Sequence, residues 1–189
     1  MSVEPVRGVG AAAHTYGEPV EVVARLDLTL QGLHYWEQVT HKRTAEVVLA
    51  LRRPDGRIVV HTKAFYPDGV YRLLTGGCKS GEDLVEAALR EGWEETGTHL
   101  TIERFVAVIH NRFQHGLDTI RFDSYLFLLS DEGQELHSND PDEAITDYQF
   151  VTPTELIAVA DQLDALAPEW ADWGHFRAVS HRLLAQELA

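Results

Sequence analysis

The densest set of side chains able to do chemistry lies between Gly76 and Thr98, GGCKSGEDLVEAALREGWEETGT. Val85, Leu89 and Trp93 recur four apart with Ala88 beside them, the apolar stripe of an amphipathic helix, and Gly97 is placed to cap its end. On that helix Glu91, Glu94 and Glu95 fall at i, i+3 and i+4, within one patch of roughly 100° that points away from the stripe. Like charges so spaced destabilise a helix by about 0.2–0.5 kcal/mol per pair, so something must offset them. Arg90, four residues before Glu94, can do so through ordinary helix ion pairs. A hard divalent cation is the other solution, because Mg²⁺ takes carboxylate and water oxygens in octahedral geometry and keeps positions for phosphate oxygens.

The spacing decides between them. The segment reads G-x5-E-x7-R-E-U-x-E-E-x-G-U, where U is an apolar residue, with Gly76, Glu82, Arg90, Glu91, Glu94, Glu95 and Gly97 in place. At about one in fifteen per fixed residue, chance agreement somewhere in the chain is on the order of one in a million. The segment resembles the Nudix box, and the pattern of strands and helices around it, from about Thr44 to Leu166, resembles the Nudix fold. Gly92 and Thr98 depart from the U positions, and Thr75 stands where a proline is usual. Gly92 costs about 1 kcal/mol inside a helix, which suits close packing of the helix on a sheet.

The resemblance implies an α/β/α sandwich that binds Mg²⁺ or Mn²⁺ and hydrolyses a nucleoside diphosphate linked to another moiety. It implies Glu91, Glu94 and Glu95 as metal ligands with the carbonyl of Gly76 or Gly77 nearby, and Arg90 paired with Glu82 to orient the box carboxylates. It also implies a general base in the loop after the central hairpin, where Glu132, Glu135 and Glu143 are candidates. Glu143 is favoured by its place before a strand and a helix start, with Glu91 as the alternative. For substrate phosphates the candidates are Lys63 and Arg72, on a β-meander that precedes the glycine pair, and Arg112 and Arg121, near the ends of two strands that turn at Gln114–Asp118. A Nudix-like module that binds a nucleotide without cleaving it is the alternative function; an isomerase on the same scaffold lacks its cysteine motif.

The remaining reactive residues carry less. Cys78-Lys79-Ser80 lacks the glycines of a phosphate loop, and Cys78 reads as an inert thiol. The ten histidines show no HxH or HExxH spacing, and His110 and His115 read as packing or surface residues.

The elements that must position the box follow from periodicity. Val20–Gln31, Thr44–Arg52 and Arg57–Lys63 read as strands, the last two joined at Pro54-Asp55-Gly56. After the box helix come two long strands turned at Gln114–Asp118, an acidic loop Asp131–Glu143, a strand TDYQFV, and helices starting at Pro153 and Pro168. Interspersed strands and helices without regular βαβ alternation give an α+β class with a mixed sheet and an additional C-terminal helix. Residues 1–18, without a period, read as a flexible arm, and residues 19–189 as a single domain. Tyr35 and Trp36 read as core packing or as stacking surfaces. Trp170, Trp173, Phe176 and Val179, near helical spacing in the tail, are expected to pack on their own sheet or on a second subunit of a homodimer.

With 16 Lys and Arg against 30 Asp and Glu, the net charge of −14 works against a phosphate-tracking surface, so long nucleic acid is not an expected partner. Instead the acidity suits a site where cations meet a small nucleotide-type substrate. No apolar run approaches the roughly 20 residues that cross a bilayer, and a lone cysteine fits a reducing cytoplasm.

Overall fold

The run Val47-Val48-Leu49-Ala50-Leu51 has no polar alternation, and a strand of that kind must be covered on both faces. It lies in β2 (Ala45–Arg52), at the centre of the protein, where those five residues are 0–1% exposed. The computed structural model describes residues 4–43 and 45–189; Thr44, expected to open this strand, lies outside them.

β2 runs parallel to β6 (Asp118–Ser130), which forms a long antiparallel hairpin with β5 (Thr101–His115), and β1 (Val20–Asp27) closes that edge parallel to β5. On the other side of β2, β3 (Ile58–Lys63) meets its far end and β4 (Leu74–Gly77) its first half, while β7 (Ile145–Val151) pairs with β3. The sheet is therefore mixed, and the α+β class read from the sequence holds. Alternate residues of β2 feed two cores. One side packs under α1 (Val9–Tyr16) and α3 (Leu84–Thr96), the other under α4 (Leu156–Asp164) and α5 (Pro168–Glu187).

Three expectations need correction. The first 18 residues are not merely an arm: the Ala-rich segment Val9–Tyr16, of high helix propensity, forms α1 with Ala12 1% exposed. Arg7 N donates to the carbonyl of Glu82 and Leu84 N to that of Arg7, which ties this segment to the start of α3. Second, the strand expected over Val20–Gln31 stops at Asp27, because Thr29 caps α2 (Leu30–Thr40) by accepting from Gly32 N at 3.0 Å. Trp36 anchors α2 by stacking on Phe113 with ring centroids 4.2 Å apart.

Third, the apolar stripe of the box helix is not its buried face. Leu89 and Trp93 are 38% and 46% exposed, whereas Ala87, Ala88, Glu91, Gly92 and Glu95 are buried. Small residues let α3 pack closely, as expected for Gly92: a Cβ there would fall 2.6 Å from Cδ1 of Leu100, just before β5, and 3.7 Å from Cδ1 of Leu49 in β2. This orientation turns two box carboxylates inward.

α4 starts at Leu156 rather than at Pro153, while Pro168 opens α5 as expected. The tail packs on its own molecule, with Phe176 4% and Leu184 0% exposed. No described helix is long and apolar enough to cross a membrane.

α4 and α5 approach so closely that a Cβ on Gly174 would lie 2.1 Å from the carbonyl oxygen of Leu163. Backbone cannot swing away as a side chain can. Gly174→Ala should therefore destabilise the protein by roughly 1–3 kcal/mol, although alanine alone favours helix by about 1 kcal/mol. Urea denaturation checks this, and an unchanged or raised midpoint would contradict the packing.

Candidate functional site

Asp83 starts α3 by accepting from Val85 N at 2.9 Å, and Gly97 ends it, so the four box side chains sit on a fixed helix. Arg90 is the centre of the site. Its Nε and Nη2 bind the two oxygens of Glu82 at 2.8 and 3.0 Å, Nη2 also donates to the Gly77 carbonyl at 3.1 Å, and Nη1 reaches Glu91 at 2.7 Å and Glu94 at 3.0 Å. That is one contact for each of its five N–H groups. One guanidinium thus joins the loop before the helix, the end of β4 and two helix carboxylates, as the Arg90–Glu82 resemblance implied.

Glu91 lies directly over the glycine pair. A Cβ on Gly76 would fall 1.8 Å from Glu91 Cδ, so only glycine lets that carboxylate rest against β4. Burial raises the pKa of Glu91, and Arg90 partly opposes the rise.

Glu95 is deeper still, at 0% exposure. Its Oε2 accepts from Thr75 N at 3.0 Å, and Lys63 Nζ stands 3.2 Å from Oε1. Oε1 itself has no hydrogen-bond partner among the described residues. Burial pushes the Glu95 carboxyl up to about 8, against the pull of Arg72 and Lys63.

Glu143 reaches the same place from the acidic loop. The last turn of α3 leaves carbonyls unpaired, and this loop satisfies them: Asn139 N donates to Glu94 O at 2.9 Å and His137 N to Thr96 O at 3.1 Å. A short 3₁₀ turn, Pro141–Glu143, then brings Glu143 into an ion pair with Lys63. Glu132 and Glu135 are exposed on the loop before that contact.

A cleft of about 960 Å³ opens beside Glu91 and Glu143, whereas Glu94 and Glu95 do not line it. Gly76, Glu91, Lys63, Arg72 and Glu143 line it. Arg72 is held in its wall by Tyr66 Oη at 2.7 Å, Leu73 O at 2.7 Å and Thr75 Oγ1 at 2.8 Å. Arg112 and Arg121 do not line it. They face each other in register on the β5–β6 hairpin, beyond Asp123, the partner of the first residue of β2. Cys78 lines the cleft but is 3% exposed, and burial pushes its thiol up to about 12, in keeping with an inert thiol. His110 pairs with Asp123, and His115 with the Leu28 carbonyl. Arg43, which the sequence did not single out, lies against the glycine pair: a Cβ on Gly77 would meet its Nη1 at 2.1 Å. Its only sequence signal is a positive charge just before the first strand of the box-bearing fold.

The donor set suits a divalent cation. It offers hard carboxylate oxygens, a close glycine backbone and a buried oxygen, Glu95 Oε1, met by the Lys63 ammonium and by no hydrogen bond. As they stand, no three His, Cys, Asp or Glu side chains among the described residues converge to hold a metal. Arg90 engages Glu91 and Glu94, and Lys63 faces Glu95, so a cation would compete with those two positive charges.

The NUDIX domain family matches residues 41–174. Among solved structures, the E. coli dihydroneopterin triphosphate pyrophosphohydrolase is similar at 17% identity and a TM-score of 0.50, over 77% of this chain and 94% of that one. A C. elegans Ap4A hydrolase is similar at 18% identity and a TM-score of 0.48, over 77% and 97%. No curated protein matches the sequence.

Because Arg90 satisfies four separate groups at about one-fifth side-chain exposure, Arg90→Lys should cost about 2–3 kcal/mol, one ammonium being unable to span the fork. Thermal unfolding at fixed pH measures this. A variant as stable as the parent would show that the carboxylates need no such joint.

Proposed function

Since the chain belongs to the NUDIX domain family and is an enzyme of the Nudix hydrolase class, we propose that it uses Mg²⁺ or Mn²⁺ to split the pyrophosphate linkage of a nucleoside diphosphate joined to another moiety. The observation that carries this is Glu91 lying against Gly76 in a cleft with Lys63 and Arg72 in its walls, with Glu94 and Glu95 on the next turn of the same helix. A bound cation supplies charge neutralisation on the leaving phosphate and acidifies the attacking water.

The chain's own residues do the rest. Arg90 fixes the carboxylates of Glu91 and Glu94. Gly76 adds a backbone carbonyl beside them. Glu143, whose carboxylate Lys63 holds in place, is the group proposed to take the proton from water. Lys63 and Arg72 put positive charge where substrate phosphates would lie. With one buried thiol, the protein is proposed to act in the cytoplasm.

Incubation with nucleoside diphosphate derivatives and Mg²⁺ in ¹⁸O water should put the label in a phosphate product. Label on sugar or base, or tight nucleotide binding without any cleavage, would reject the reaction; the latter would identify a non-catalytic binding module. Glu94→Gln and Glu95→Gln should each lower turnover at least ~100-fold. Glu143→Gln should lower kcat by about 10²–10⁴-fold with cation affinity nearly unchanged.

The raised pKa of Glu95 adds a pH dependence. Below about 8 the buried carboxyl holds a proton that a cation must displace, whereas above about 8 there is none to displace. Mg²⁺ affinity should therefore rise up to about tenfold per pH unit between pH 6 and 8, then level off. Calorimetry in buffers of different ionisation enthalpy would count the released proton. A slope unaltered in Glu95→Gln would assign the proton elsewhere.

A further inference from the structure

α2 precedes the family-matched residues, yet it builds part of the cleft. It is clamped to the N-terminal part of α5: Thr29 N and Oγ1 donate to Asp172 Oδ2 at 3.0 and 2.6 Å. Gly32 comes so close that a Cβ would meet Asp172 Oδ2 at 2.0 Å. Tyr35, three residues on, lies on that same helix face, and the residue is 52% exposed at the cleft although its neighbour Trp36 is buried. On α5, Trp170 and Trp173 flank Asp172 and line the same cleft, joined edge-on at 5.4 Å. The aromatic wall continues through Tyr66, 4.9 Å from Trp173, to Phe65, which is 60% exposed. Exposed aromatic rings are costly to leave in water unless a partner covers them.

Charge completes the pattern. The protein carries −14 overall, but Arg43 lies over Gly77 at the cleft and enters no ion pair among the described residues. A ligand matched to this surface has a flat apolar ring at one end and a phosphate anion at the other. We infer that the α2–α5 bracket is the specificity site of the enzyme: Tyr35 and Trp170, with Phe65, receive the nucleobase of a nucleoside diphosphate, while Arg43 binds its phosphates. This deepens the hydrolase reading and rests on its choice of a nucleotide substrate.

The test is binding, read separately from turnover. ADP and inorganic pyrophosphate are titrated by calorimetry into the full-length protein, with Ca²⁺ in place of Mg²⁺ and again in EDTA. ADP should bind at least tenfold more tightly than pyrophosphate. Base–aromatic stacking is worth enough that Tyr35→Ala and Trp170→Ala should each weaken ADP about tenfold and leave pyrophosphate within twofold. Arg43→Ala should weaken both ligands alike, by about tenfold. Phe65→Ala, on an exposed ring, repeats the base test should Trp170→Ala lower the melting temperature.

Equal affinities for ADP and pyrophosphate in the wild type overturn the inference. So does an ADP-to-pyrophosphate ratio unchanged by Tyr35→Ala and Phe65→Ala. Failure of the hydrolase reading looks different, since base-dependent ADP binding would persist without phosphate release.

Discussion

Everything at the site depends on one guanidinium. Arg90 is placed by the helix register of α3, yet three of its five contacts reach outside that helix, two to Glu82 in the preceding loop and one to the Gly77 carbonyl at the end of β4. Without such a joint, Glu91 and Glu94 would repel each other on adjacent turns, and Glu91 would be a half-desolvated charge over a bare backbone. With it, two carboxylates are held next to a glycine pair that a larger residue could not replace at Gly76. The same charge that stabilises the cluster is the one that a cation bound there would have to displace.

That cluster exists only because α3 turns its acidic side inward. A helix normally buries its apolar stripe, and here Leu89 and Trp93 are left outside while Glu91 and Glu95 are covered. The small face of Ala87, Ala88 and Gly92 explains the choice, since it allows an approach to β2 that a leucine and a tryptophan would block. Burying Glu95 is costly, and its carboxyl responds by retaining a proton up to about pH 8.

The cleft is assembled from pieces that are remote in sequence. β3 contributes Lys63, the acidic loop Glu143, and α2, α5 and the segment after β3 an aromatic wall. The loop is in place because it completes the carbonyls of α3, and α2 because Trp36 stacks on Phe113 and Thr29 binds Asp172. Each of these contacts is structural in origin and chemical in consequence.

The sequence by itself determined the box. The i, i+3, i+4 spacing of Glu91, Glu94 and Glu95 is a property of helix geometry, so the carboxylate patch could be read without coordinates; the Arg90–Glu82 pair followed from the resemblance to the Nudix box, and the mixed α+β class from the interspersed strands and helices. The β-branched runs and the Pro and Gly turns fixed most strands in the same way. Only the tertiary structure decided which face of α3 is buried, because periodicity registers apolar character and is blind to how closely small residues permit approach. It alone turned the N-terminal segments into α1 and α2, whose short patterns are stabilised by what they dock against. And it alone sorted the four basic candidates, keeping Lys63 and Arg72 at the cleft and leaving Arg112 and Arg121 on the hairpin, since a cation's role depends on where strand pairing carries it.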